Sequence, residues 1–326
     1  MTLSGILFNQ IIIIFIIIFI GAICYKIKLI DDETNKRLSD ILLYLVTPAV
    51  IFVSYQRDFS KDLMEGLLLS LLFATVVHAA GIFISYVLIR KKKRAHETVD
   101  GKRIRTYVEN ENCEVERIGA AYANVGYMGI PLVSGIYGSE GVFYVTAYIT
   151  LFNLLIWTHG VMLMSGNKNM KFKETAKLLL SPSIISIVLG LICFVFQIKV
   201  PKIMYDALNH VASMNTPLAM LIAGVTIGKT NILKIFTRDL RRYYVLFIKL
   251  ILIPLIIMAM VIKLPVNDMV KIIAVIMAAS PCGTTIILFS IKYGKNSVYA
   301  AEIFTMAKLF CAATIPLIVR IAELLL

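Results

Sequence analysis

Ten apolar runs divide the chain, at 3–25, 38–55, 63–89, 118–137, 142–164, 178–196, 207–227, 243–262, 270–291 and 298–325. Crossing the hydrocarbon core of a bilayer takes roughly 20 helical residues. Inside lipid every backbone N–H and C=O has to be bonded within its own segment, so runs of this length predict helices rather than irregular chain. The first run lacks the basic leader and small-residue cleavage site of a signal peptide, and it reads as a span. The expectation is an all-α polytopic membrane protein with ten transmembrane helices.

Composition supports that reading and then complicates it. Of 326 residues, 59% are hydrophobic and only 16% charged, against about half and a quarter in soluble domains, which excludes a soluble globule. Yet the net charge is +13. The positions of the cations resolve this: 24 of the 33 lie in the connections after runs 1, 3, 5, 7 and 9, and seven lie toward the other side, Lys271 and Arg320 among them near run ends. Because Lys and Arg accumulate on the cytoplasmic side, both termini are expected outside a cell membrane, most simply a bacterial inner membrane. The R-K-K-K-R run at 90–94 directly follows the third apolar run, so it reads as a topology signal that can also touch anionic lipid, not as a nucleic-acid site. Residues 91–117 read as a charged, partly disordered cytoplasmic loop. Two lysines remain inside runs, Lys249 and Lys308. Lys249 stands six residues into its run, near enough to the cytoplasmic surface to snorkel.

The runs repeat. Tyr137-Gly138 and Val142 recur as Tyr293-Gly294 and Val298 at an offset of 156, and Thr47-Pro48 recurs as Thr216-Pro217 at 169. Both echoes pair run n with run n+5. Five is odd, so the halves must be inverted across the membrane, 1–90 with 118–165 forming one repeat and 166–326 the other. Secondary transporters use this construction to exchange inward-open and outward-open states.

Helix breakers cluster at matching depths. Run 4 holds Asn124, Gly126, Gly129 and Pro131; run 9 holds Ser280, Pro281, Cys282, Gly283, Thr284 and Thr285. Proline removes a backbone donor and glycine offers no side chain to resist unwinding, so both helices are expected to be broken near the midplane. Half-helix N-termini suit a carboxylate, and freed carbonyls with Asn, Ser and Thr oxygens suit Na+. Lone Pro182, Pro254 and Pro316 read as packing kinks.

At these residues the sequence resembles the auxin efflux carrier family, whose bacterial members include malate and malonate permease-like proteins, within the bile acid and auxin carrier superfamily. The resemblance rests on L-Y-L-V-T-P-A-V-I-F ending at Phe52, on A-N-V-G-Y-M-G-I-P-L around Asn124, on the charged central loop and on S-P-C-G-T-T at 280–285. It implies that helices 4 and 9 cross at their breaks, with the crossover Asn at Asn124 and the crossover prolines at Pro131 and Pro281. It also implies a scaffold of helices 1, 2, 6 and 7 against which helices 3–5 and 8–10 move as an elevator.

A charge at membrane depth is costly and usually faces a cavity or a partner. Lys308 therefore reads as the countercharge of an anionic substrate or a proton-linked group, the competing reading being a structural lysine neutralised by Glu302. Its repeat counterpart falls beside Asn153, which would line the opposite wall. Glu302 and Ser280 are candidates for coupling to Na+ or H+. His78 and His159 read as hydrogen-bonded fixtures more readily than as a relay, and Asn215 as part of a kinked scaffold helix. Five scattered cysteines and no CxxC or HExxH pattern call for no disulfide framework, metal or other cofactor. The expected partners are a small organic anion, mono- or dicarboxylate, the bilayer, and a second copy through the scaffold helices, with no nucleic acid. A membrane sensor that binds an anionic ligand is the alternative; an enzyme is disfavoured, because no nucleophile with a base or paired carboxylates lies in the runs.

Overall fold

The computed structural model describes residues 3–99, 102–166, 181–229, 235–236 and 240–326. The loop cations Lys168, Lys171, Lys173, Lys177, Lys234 and Arg238, and the start of the sixth run, lie outside the described residues. The chain is nearly all helical: α1 (Leu3–Lys26), α2 (Asp32–Ile41), α3 (Thr47–Ser54), α4 (Lys61–Leu88), α5 (Cys113–Ala121), α6 (Ile130–Leu155), α7 (Val161–Ser165), α8 (Pro182–Val195), α9 (Lys202–Ser213), α10 (Asn215–Gly228), α11 (Leu240–Phe247), α12 (Ile253–Val261), α13 (Asp268–Ala279), α14 (Thr285–Lys292) and α15 (Ser297–Leu325). Large apolar side chains remain outward, Phe19, Leu68 and Phe83 each more than half exposed, which suits a lipid surround.

Among the described residues, seven helical stretches are long and apolar enough to cross a membrane. This differs from ten runs at three places. Runs 4 and 5 form one stretch, Cys113–Ser165, which is interrupted after α5 and folds back at Gly138, whose φ of +60° glycine alone adopts freely. Run 6 contributes only the 14-residue α8. Run 9 is split into α13 and α14 by residues 280–284. Gly294, the repeat counterpart of Gly138, likewise has positive φ, +63°.

Proline placement explains three of the four π-turns among the described residues, Ile156–Gly160 being the exception. Wide π-turns at Leu42–Val46, Val125–Gly129 and Ile248–Leu252 are each followed two residues later by a proline: Pro48, Pro131 and Pro254. The ring lacks an N–H and clashes with the carbonyl four residues earlier. Those carbonyls belong to Tyr44, Tyr127 and Leu250, all inside the widened turn, where the clash is relieved. Pro254 thus marks a wide turn. Pro182 is no kink: it opens α8, behind the N-cap Ser181.

The tightest packing joins α1 to α10. A methyl added at Gly21 would strike the Leu221 carbonyl, and one at Gly224 the Ile18 carbonyl, so the two backbones touch directly. At the opposite end from the cation-rich connections, Tyr55 packs edge-on against Phe143 and Phe194 and its hydroxyl pairs with Thr146 Oγ1 at 2.7 Å.

The 91–117 segment is more ordered than expected. Residues Lys92–Val99 and Lys102–Glu109 form an antiparallel hairpin, in register from Lys92 opposite Glu109 to Val99 opposite Lys102, and α5 already begins at Cys113. The charge of the segment masks its strand-forming residues, Thr98, Val99, Ile104, Thr106, Tyr107 and Val108. Beyond the hairpin Glu116, fully buried, accepts hydrogen bonds from Asn110 Nδ2 (2.8 Å), Tyr299 OH (3.0 Å) and both Arg241 Nε (3.1 Å) and Nη2 (2.8 Å). One carboxylate therefore ties α5, α11 and α15 together.

Candidate functional site at the crossing of two broken helices

The break after α5 and the break after α13 meet. Asn124 donates its backbone N–H to the carbonyl of Pro281 at 2.7 Å, a bond across two interruptions that are 157 residues apart in sequence. The reason is local: α5 ends in extended chain at Tyr122, α13 ends in extended chain at Ser280, and the backbone groups so released satisfy one another. Asn124 then starts the next turn. Its Oδ1 accepts from Tyr127 N–H at 3.1 Å, which fixes the amide's orientation, and its carbonyl accepts from Met128 and Gly129.

That leaves the other half of the side chain, Asn124 Nδ2, buried and without a hydrogen-bond partner. A buried donor without an acceptor is costly, and native structures rarely keep one without a reason. The glycines around the crossing leave room. A methyl group on Gly126 would meet no atom within 4 Å, and one on Gly283 would meet only ordinary contacts at 3.7–3.8 Å, to Thr285 and to Asn124 itself. Gly129 is different: it packs on Met277. Pro131 sits in the first turn of α6, which runs on from the π-turn capped by Asn124, and Thr284 and Thr285 open α14.

Lys308 is 1% exposed, its ammonium 4.3 Å from the Phe304 ring centre. It lies in electrostatic range of the buried Cys282. Among the described residues no carboxylate lies within ion-pair distance of it. Glu302 is not its partner, because Glu302 pairs with Arg242 at 2.6 Å. The same ion pair takes Glu302 out of the group of free carboxylates available to a coupling ion. Ser280 is wholly buried and donates to the Ile276 carbonyl at 2.9 Å. Asn153 donates its amide to the Ile149 carbonyl of its own helix at 2.9 Å. The structure therefore gathers Asn124, Gly126, Pro281, Cys282, Gly283 and Lys308 and leaves Glu302 apart, in the Arg242 ion pair.

Lys249 is the correction. Instead of snorkelling it is 2% exposed, held in the π-turn Ile248–Leu252 between buried Ile248 and Leu250, and it too is within electrostatic range of Cys282. The signal that could have found it was Pro254, whose spacing to a wide turn matches that of Pro131. His78 was legible as a fixture on one side only: Nδ1 bonds the Ala74 carbonyl at 2.8 Å, whereas Nε2 is buried without a partner. His159 bridges Tyr122 OH (2.8 Å) and Tyr86 OH (3.2 Å). Asn215, 3% exposed at the start of α10, meets Thr47 Oγ1 at 3.4 Å.

Comparison with known proteins agrees with this architecture. Described relatives include an uncharacterized transporter of Methanocaldococcus jannaschii, 23% identical over 228 residues and covering 68% of each chain. Another is the uncharacterized transporter YfdV of Escherichia coli K12, 22% identical over 250 residues and 74% of each chain. The family described as membrane transport protein matches residues 109–319, nearly two-thirds of the chain, including both breaks and Lys308. The chain is therefore a multi-pass membrane protein that belongs to the membrane transport protein family, the family of the auxin efflux carriers.

Proposed function

We propose that this transporter is a secondary active carrier of a small organic anion, a mono- or dicarboxylate, which binds at the crossing of the two broken helices. In this reading ten transmembrane helices form two inverted five-helix repeats, with both termini outside the cell membrane. The repeats' crossing helices 4 and 9 lie in a moving unit of helices 3–5 and 8–10, and this unit travels against a scaffold of helices 1, 2, 6 and 7 in elevator fashion. The matched positive-φ glycines Gly138 and Gly294 support the repeat.

The observation that carries the proposal is the unpartnered Asn124 Nδ2 at the crossing, with Gly283 beside its side chain and room left at Gly126, and Lys308 buried with no carboxylate on it among the described residues. Amide and ammonium lack the same thing, an anionic acceptor. An anion supplied from solution satisfies them at once, and because it leaves again the site stays costly when empty. Coupling to H+ or Na+ then rests on groups other than Glu302.

The test is transport in proteoliposomes. Asn124→Ala and Lys308→Ala are expected to abolish carboxylate uptake and counterflow while the protein inserts and melts as the parent does. Normal transport in both variants overturns the site. A panel of mono- and dicarboxylates, assayed with and without Na+ and across pH, identifies substrate and coupling ion.

A further inference from the structure

Among the described residues, the π-turn Ile156–Gly160 is the wide turn that no proline explains: Val161 and Met162 follow it. Single wide turns inside helices are frequent at functional sites. This one carries His159, half-buried, between hydroxyls from two other helices. Nε2 meets Tyr86 OH, from α4, at 3.2 Å, and Nδ1 meets Tyr122 OH, at the end of α5, at 2.8 Å. Tyr86 is 40% exposed and stands four residues before the R-K-K-K-R run, whereas Tyr122 is 2% exposed and two residues before Asn124. Three titratable groups, each close enough to its neighbour for proton transfer, therefore join exposed Tyr86 to the chain that enters the first break.

The partners fix where the protons sit. Tyr122 donates its one hydroxyl hydrogen to the Leu155 carbonyl at 3.1 Å, so its oxygen accepts from Nδ1–H of neutral His159, and the Nε2 lone pair accepts from Tyr86 OH. A further proton enters at Nε2 alone: Tyr86 passes its hydroxyl hydrogen to Nε2, takes one from water in return, and its oxygen then accepts from the new Nε2–H. Both charge states of the ring keep two hydrogen bonds. The proton goes no deeper, because the Tyr122 hydrogen is committed to a carbonyl, so His159 stores a proton and does not conduct it. The surrounding groups oppose a stored proton without an anion. The Arg117 guanidinium, from α5, lies 4.1 Å over the Tyr86 ring, the ring of His78 faces Tyr122 from α4, and no carboxylate lies within ion-pair distance of His159 among the described residues. An anion at the crossing supplies the missing negative charge, and by linkage each of the two then favours binding of the other.

We propose that His159 is the proton-binding residue that couples this carrier to H+, loaded through Tyr86 and kept charged while an anion occupies the crossing. This rests on the crossing being the anion site, and it adds the coupling ion and the residue that carries it. Tyr86, Tyr122 and His159 belong to helices 3, 4 and 5, so proton and anion travel in the same moving unit.

The experiment uses the full-length chain in proteoliposomes, with the membrane potential clamped and protein-free liposomes subtracted. It measures accumulation of acetate, lactate and succinate across a gradient of one pH unit, and counterflow of the same anions at saturating concentration without a gradient. One proton per anion supports up to about tenfold accumulation under that gradient, and the parent is expected to approach it with at least one of the three. His159→Gln, which keeps a donor and an acceptor for the two tyrosines and does not titrate, is expected to lose the accumulation and to retain counterflow. Tyr86→Phe, which removes the entry hydroxyl, is expected to slow the accompanying H+ movement about tenfold, read by a trapped pH dye. Parent uptake indifferent to the pH gradient, or undiminished accumulation in His159→Gln, overturns the inference and leaves the crossing as the anion site. Loss of counterflow in a His159→Gln that melts as the parent does makes the histidine structural and overturns it too. If that variant melts below the parent, Tyr86→Phe decides, and unslowed H+ movement refutes the path. Absence of both uptake and counterflow in the parent overturns the site itself, and the inference with it.

Discussion

Gly126 allows stability and function to be separated. It lies in the π-turn Val125–Gly129, its φ is not positive, and a methyl group built on it touches nothing within 4 Å. Gly126→Ala therefore introduces no clash and no backbone strain. It restricts the unfolded chain, which stabilises a protein by about 0.4–1 kcal/mol where the native conformation accepts alanine. The same methyl projects from the turn that Asn124 caps into open space that the substrate is proposed to reach. Crowding of one methyl group in a packed site costs about 1–3 kcal/mol, which at about 1.4 kcal/mol per factor of ten is a loss of roughly 5- to 150-fold in affinity. The assay pairs chemical or thermal unfolding of the empty protein with binding of the best carboxylate found in the transport panel. The expected result is opposite signs: a protein as stable as the parent or slightly more so, with weaker binding. Unchanged affinity in Gly126→Ala means that the open space is not where the anion sits, and lowered stability means that the space is not open.

Other residues give complementary outcomes. Gly224→Ala places a methyl group against the Ile18 carbonyl and is expected to destabilise by about 1–3 kcal/mol, read as a lower unfolding midpoint; an unchanged midpoint refutes the backbone contact. Glu116→Ala leaves Arg241, Asn110 and Tyr299 without the acceptor they share and is expected to cost about 3–5 kcal/mol, the range for a buried pair broken from one side; a loss under about 1 kcal/mol contradicts the role given to that carboxylate. Outside the spans, the hydrogen bond and charge of Lys199 hold the Asp58 carboxyl below its ordinary range. A depressed folded-state value means that the stabilisation is present above the unfolded value near 3.9 and is lost as pH falls through the lower folded one. The melting temperature of Asp58→Asn is therefore expected to lie slightly below the parent's at pH 6 and to converge with it as the medium becomes more acidic than about pH 4; a constant difference across that range contradicts the link.

Much of this was legible in the chain because the bilayer imposes few solutions. Long apolar runs had to be helices, and the clusters around Asn124 and Pro281 had to interrupt them, since proline and glycine act through the backbone and their effect is local. The meeting of the two interruptions was harder to read: the Asn124–Pro281 bond joins residues far apart in sequence, and only the family resemblance implied it. Lys249 was misread because depth was judged by counting from the end of an apolar run, whereas burial depends on which helices surround the turn. The partner of Glu302 was hidden for a related reason. Its partner Arg242 belongs to another helix, and no spacing along α15 reveals it. The hairpin at 92–109 is hidden in the sequence because its strand-forming residues are interspersed with a dense run of charges.

The direct contact between α1 and α10 also limits where the molecule can change shape. Interfaces made of interlocking side chains can slide by exchanging rotamers, each step small. A seam of carbonyls resting on glycines has no rotamers to exchange, and any shift along it drives oxygen into Cα. These two helices behave as one beam. Any rearrangement that accompanies transport has to be taken up elsewhere, at surfaces such as the one where Tyr55 rests on Phe143 and where aromatic rings can turn out of the way.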